Sequence, residues 1–147
     1  MIRNIPIPRL QQIVDFVIDN YDNADNYLFP QNVDELVKKD GDSEVFMIED
    51  EYGISSLCFV RVNYKHHATV YRTVVRMDVR EQGLSKQLDE VVENTLRNSG
   101  VKKIESRIYV NNYPSIFRRL KRGFLVEGLM RNQDGKGKDT YLMGKEL

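Results

Sequence analysis

The sequence predicts an α/β domain built on a mixed sheet, in the order strand, helix, helix, three strands, helix, strand, helix, two strands. Two observations carry this. Leu84, Leu88, Val91, Val92 and Leu96 recur at helical spacing and stop at Gly100. Directly after them, Ile104, Ser106, Ile108 and Val110 alternate with Lys103, Glu105, Arg107 and Tyr109, the period of a strand with one buried face.

Before this pair, Met1 to Ile7 reads as a short extended start, and Pro8 suits the first turn of a helix over Pro8 to Asn20, where Leu10, Ile13, Val14 and Val17 share a face. Tyr21 to Gln31, rich in Asn and Asp and holding Pro30, has the composition of an irregular loop. Asn32 is placed to cap a helix over Val33 to Lys39, with Gly41 as its stop. Glu44 to Glu49 and Ile54 to Asn63 are β-rich runs flanking an Asp50 to Gly53 turn. A second turn near Asn63 to Lys65 leads into a strand over Ala68 to Arg76. Past the central helix and strand, Pro114 opens a helix to Lys121 that Gly123 ends. Phe124 to Met130 and Thr140 to Met143 then read as two strands around a polar loop, Asn132 to Lys138.

At 147 residues, with 41% hydrophobic and 30% charged residues, the chain is expected to fold as one domain over 1–147. Its 22 basic and 22 acidic residues cancel, which argues against a dedicated nucleic-acid or anionic-membrane binder. Arg118, Arg119, Lys121 and Arg122 accordingly read as a solvated helix face. The lone Cys58, in an apolar strand, reads as packed rather than nucleophilic, and His66 and His67 with one distant cysteine match no metal-ligand spacing. With no secretory pattern at the amino terminus and no apolar run near the ~20 residues of a membrane span, a cytoplasmic location is expected.

The segment with chemical content is the strand-to-helix turn Arg80-Glu81-Gln82-Gly83-Leu84-Ser85. A helix start leaves its first N–H groups without partners inside the helix and presents the positive end of the dipole, which suits a phosphate. Gly83 allows positive φ, and Ser85 is small enough not to block a pyrophosphate. An ordinary turn with a helix cap uses the same residues, and the hexapeptide matches neither the P-loop nor the three-glycine dinucleotide fingerprint.

Here the chain resembles the GCN5-related N-acetyltransferase (GNAT) superfamily. That family's signature is Gln or Arg, two residues, Gly, one residue, then Gly or Ala. Arg80, Gly83 and Leu84 stand in the expected places, while Ser85 replaces Gly or Ala and Met77 stands where Pro is frequent. A second block, Asn112, Ser115, Ile116, Gly123 and Phe124, holds the family's later positions at the usual separation. The resemblance covers Tyr71 to Phe124 and implies a GNAT-like acyl-CoA N-acyltransferase fold with acetyl-CoA as cosubstrate and no metal. It implies that Val75 and Met77 meet the pantetheine and thioester by their backbone. Gln82, Gly83, Leu84 and Ser85 would hold the pyrophosphate, Asn112 would face the pantetheine arm, and Lys86 or Arg80 would approach phosphate oxygens.

For chemistry, the family's frequent Tyr acid is replaced here by Arg119, whose guanidinium stabilises a thiolate by charge but does not give up its proton. His67 and Tyr71, on one face of the long strand, are the candidate bases. The resemblance implies transfer of an acyl group to a primary amine of a small molecule or protein. A non-catalytic binding protein of the same fold is the alternative, with Arg119 as its support. Asp22, Asp25, Asp34 and Glu35 are placed to attract a cationic amine or to cap helices. Pairing of two copies as a homodimer through a sheet edge or the last strand stays open.

Overall fold

The structure is a computed structural model that describes residues 1–21 and 29–147. Among these residues are four α-helices, α1 (Ile7–Asn20), α2 (Val33–Asp40), α3 (Leu84–Asn98) and α4 (Tyr113–Lys121). Six strands accompany them: β1 (Glu44–Asp50), β2 (Gly53–Tyr64), β3 (His67–Val75), β4 (Lys103–Tyr109), β5 (Leu125–Met130) and β6 (Thr140–Glu146). They hydrogen-bond in the order β1-β2-β3-β4-β6-β5, and β3 and β4 are parallel while the pairs β1–β2, β4–β6 and β5–β6 are antiparallel, so the sheet is mixed as expected. The chain forms two compact units, Met1–Arg61 with Arg72–Asn94, and Val62–Tyr71 with Thr95–Leu147.

In the first unit, the expected strand at Met1 to Ile7 is instead a 3-10 turn over Ile2–Asn4. Ile2 is fully buried and its N–H donates to the Ser43 carbonyl at 2.9 Å, so one side chain is drawn inward and the backbone coils around it. On α1, Leu10, Ile13, Val14 and Val17 are buried while Gln11, Gln12, Asp15 and Asp19 are exposed, the stripe that their spacing predicts. Asn32 caps α2 by accepting from the Glu35 N–H at 2.9 Å, and Glu35 reaches back to the Gln31 N–H at 3.0 Å. Gly41 follows α2 with an ordinary helical φ of −55°, so its left-handed freedom is not used. It is needed for space, because a Cβ there would lie 2.5 Å from the Val37 carbonyl oxygen. Asp22 and Asp25 lie outside the described residues.

Ile54 to Val60 on β2 are all buried, covered on both faces, and Cys58 is among them as a packed side chain. Leu57 and Phe59 are fully buried, each worth about 1.5–3 kcal/mol in transfer from water. On α3, Leu88, Val92 and Leu96 are buried, but Val91 is 52% exposed. At ~100° per residue it falls off the 88-92-96 stripe, which corrects its placement on the core face.

In the second unit, β4 pairs with β6 from Lys103↔Glu146 to Tyr109↔Thr140. Ile104, Ser106 and Ile108 point inward, as the alternation predicts. β5 forms the outer edge, and its register shifts between Val126 and Gly128. The basic helix α4 departs from the solvated face expected of it: Arg119 is 3% exposed, Arg118 and Arg122 are half-buried, and only Lys121 of the four is exposed.

Candidate coenzyme site

Three arginines of unlike roles stand in β3 and in its connection to α3. Arg76, just past β3, donates its N–H to the Ser55 carbonyl at 2.9 Å, and its guanidinium grips Asp50 through Nη1 at 3.1 Å and Nη2 at 2.6 Å. Its Nε bonds Asp78 Oδ1 at 2.6 Å and Nη1 also reaches the Ile54 carbonyl at 3.1 Å. These carboxylates raise the Arg76 pKa. Asp50 is held below the usual carboxylate range, first by the Arg76 hydrogen bonds and then by the Tyr52 N–H.

Met77 to Val79 make one 3-10 turn, with the Met77 side chain exposed and the Met77 N–H donated to Asn20 Oδ1 at 3.2 Å. Arg80 folds back over this turn: Nε donates to the Val75 carbonyl at 3.1 Å and Nη2 donates to the Asn20 carbonyl at the end of α1. Val75, Met77 and Arg80 therefore come together around Asn20, a residue that sequence reasoning misses because no local pattern marks it. The last carbonyls of a helix lack partners and draw cations, which is why Arg80 settles there. The third arginine, Arg72, lies within β3 itself and pairs with Asp40 at the end of α2.

After Arg80, Glu81 has φ +63° and Gly83 has φ +81°, so the chain turns twice through the left-handed region before α3 begins. The Gly83 carbonyl accepts from the Gln87 N–H at 3.1 Å, which places the N–H groups of Leu84, Ser85 and Lys86 ahead of the first bond of the helix ladder. Gln82, Gly83 and Lys86 are exposed, Leu84 and Ser85 half-buried. No acidic side chain stands in the first turn of α3, and a Cβ added at Gly83 would meet no atom of the described residues within 4 Å. The donors, the dipole and the open space fit an anion laid on the turn.

In the second unit, Asn112 caps α4, its Oδ1 accepting from the Ser115 N–H at 3.4 Å, with Pro114 in the first turn. Arg119 lies buried with its guanidinium carbon 5.0 Å from the centre of the Phe124 ring. Tyr71 is half-buried on β3. His67 is held on three sides: Asn63 Nδ2 lies 2.9 Å from Nδ1, Glu105 Oε2 lies 3.5 Å from Nε2, and Tyr64 stacks on the ring at 4.9 Å. Glu105 also accepts from the Thr69 hydroxyl at 3.0 Å. His66 is exposed at the hairpin. The parallel ladder between β3 and β4 comprises His67↔Lys103, Ala68↔Ile104 and Thr69↔Glu105.

No protein-family model matches the sequence, and a search of curated proteins gives no match. Solved structures do match. The ribosomal-protein-S18-alanine N-acetyltransferase from Escherichia coli aligns with TM-score 0.78 at 18% identity, over 97% of this chain and 90% of that one. A GNAT family acetyltransferase from Elizabethkingia anophelis with acetyl-CoA bound aligns with TM-score 0.74 at 16% identity, over 98% and 93%. An aminoglycoside 6'-N-acetyltransferase complexed with coenzyme A gives 0.71 at 15% identity, again over 98% and 93%. At these identities the likeness is one of fold, and the fold is that of the GNAT acetyltransferases.

Proposed function

We propose that this chain, which has the GNAT fold, is an acetyl-CoA-dependent N-acetyltransferase, with 1–147 acting as a single catalytic domain. The observation that carries the reading is the β3-to-α3 connection. Two left-handed residues there, Glu81 and Gly83, present the α3 N–H groups, and no acidic residue stands in the first turn of that helix. Structures of the same fold hold acetyl-CoA or coenzyme A.

In this reading the N–H groups of Gln82 to Ser85 bind the pyrophosphate, and Lys86, exposed beside them, adds charge. Arg80 contributes charge from a guanidinium already committed to the Val75 and Asn20 carbonyls, so it braces the site while it attracts the anion. The backbone around Val75 and Met77 receives the pantetheine and thioester, and Asn112, by its place in the family's second block, is the residue assigned to the arm. An amine held against the thioester attacks its carbonyl carbon, an oxyanion forms, and the C–S bond breaks to release coenzyme A as a thiolate. Positioning alone can carry much of the barrier of such a reaction. Tyr71, nearer than His67 to Val75 along β3, is the better placed candidate for taking the amine proton. His67 is the other candidate on that strand. A guanidinium does not release its proton, so Arg119 acts through charge and the thiolate takes its proton from water or another donor.

The acceptor in this reading is a primary amine of a small molecule or a protein, in a cytoplasmic setting, with neither nucleic acid nor membrane as partner. Among the described residues no helix is long and apolar enough to cross a membrane. Calorimetric titration with acetyl-CoA, followed by an assay of free thiol across an amine panel, tests the proposal. Saturable binding and amine-dependent thiol release are expected; a folded protein that does neither overturns it. A second reading, a non-catalytic binding protein of this fold, is favoured by Arg119 at the family's Tyr position and its burial over Phe124. It predicts binding without thiol release.

A further inference from the structure

Arg72 stands in the middle of β3 with φ +50°, a conformation that an L residue with a long side chain adopts only when something holds it there. If the backbone alone mattered, glycine would be the residue for such a position. The side chain supplies the reason for arginine. Its Nη1 donates to Asp40 Oδ2 at 2.6 Å, and Asp40, the last residue of α2, is 3% exposed. The other oxygen of Asp40 accepts from Arg61 Nη2 at 3.3 Å, and the same Nη2 reaches the Lys39 carbonyl at 3.2 Å. The Arg72 guanidinium carbon also lies 5.3 Å from the Phe29 ring centre and 5.6 Å from that of Phe59, and the two rings meet edge to face at 6.1 Å.

Ion pairs drawn out of water add little net stability, since desolvation offsets their attraction. What this pair does add is direction: it ties one strand residue to the end of α2 and to β2 with its backbone in a left-handed turn. Thr73, Val74 and Val75 leave from that turn, and they lead straight to the backbone that the proposed function gives to the thioester. We infer that the Asp40–Arg72 pair positions the reacting end of β3, holding Arg72 in the left-handed region so that the Thr73 to Val75 backbone faces the acyl group. Arg72 and Asp40 are thus positioning residues, acting through the backbone, and the inference rests on the N-acetyltransferase reading.

Glycine discriminates this role from a merely structural one. Arg72→Ala and Asp40→Asn release the hold, whereas Arg72→Gly loses the side chain but keeps the conformation accessible. In the thiol-release assay, Arg72→Ala and Asp40→Asn should lower kcat by about tenfold to a hundredfold with KM for acetyl-CoA little changed, the signature of misplacement. Arg72→Gly should recover most of that loss. Equal loss in Arg72→Gly and Arg72→Ala, or no loss in Arg72→Ala and Asp40→Asn, overturns the inference. Peptide-resolved hydrogen exchange over Thr73 to Val75, without coenzyme, reads the hold independently of activity. Protection lost in Arg72→Ala and Asp40→Asn but largely kept in Arg72→Gly supports the inference even if the wild type transfers no acyl group. Protection alike in all three overturns it.

Discussion

Gly83 offers the sharpest test of the coenzyme site, because two substitutions there separate strain from charge. Its φ of +81° penalises a Cβ, yet no atom of the described residues stands within 4 Å of where that Cβ would go. Gly83→Ala should therefore cost about 1–2 kcal/mol of backbone strain, lowering Tm by about 2–8 °C, and change acetyl-CoA affinity only modestly. Gly83→Asp carries no more strain than Ala, since Asp tolerates the left-handed region better, and adds a carboxylate. Placed ~6 Å from a pyrophosphate carrying ~2 charges, at an effective dielectric of ~40, it meets a repulsion of about 3 kcal/mol, roughly a hundredfold in Kd. With a Debye length of about 8 Å at physiological ionic strength, the penalty shrinks to about tenfold. Titration of both variants at low and physiological salt measures this. Asp equal to Ala in Kd, or a gap indifferent to salt, would refute the placement of the pyrophosphate on this turn.

Two further outcomes follow from the same connection. Arg80→Lys keeps the charge but loses the fork that joins the Val75 and Asn20 carbonyls, so Tm and acetyl-CoA affinity should fall together. Unchanged values in calorimetry and thermal melts would show that Arg80 acts only as a point charge. Asp50, whose carboxyl is held below its ordinary pKa chiefly by Arg76, stabilises the fold at pH values above the unfolded carboxylate pKa of about 3.9, and that contribution disappears as the pH falls through the lowered folded value. Asp50→Asn should thus lower Tm at pH 7, and that deficit should shrink as the pH falls below about 3.9, whereas a deficit independent of pH would argue that the ion pair is not its source.

Much of this protein is legible along the chain. The helix from Leu84, the alternation of β4, the Asn32 cap and the left-handed Gly83 each depend on neighbours a few residues apart, where backbone sterics and the two side-chain periods decide the outcome. So does the turn that presents the α3 N–H groups, which is why the proposed coenzyme loop stands out from the order of its residues. The 3-10 turn at Ile2 is not legible, because a short apolar segment is compatible with either form until Ser43 supplies an acceptor. The arginines are less legible still. Arg76 meets Asp50, Arg80 meets Asn20 and Arg72 meets Asp40 across stretches of chain that carry no common period. Likewise, Arg119 reads as one more exposed cation on a basic helix, yet it is buried with its guanidinium near the Phe124 ring. The sequence alone determined the helices after the first residues, the order of the strands and the left-handed turn before α3, since these are local. Tertiary structure decided which charges brace the site and which backbone is held strained, since a charge takes its role from whichever partner folding brings to it.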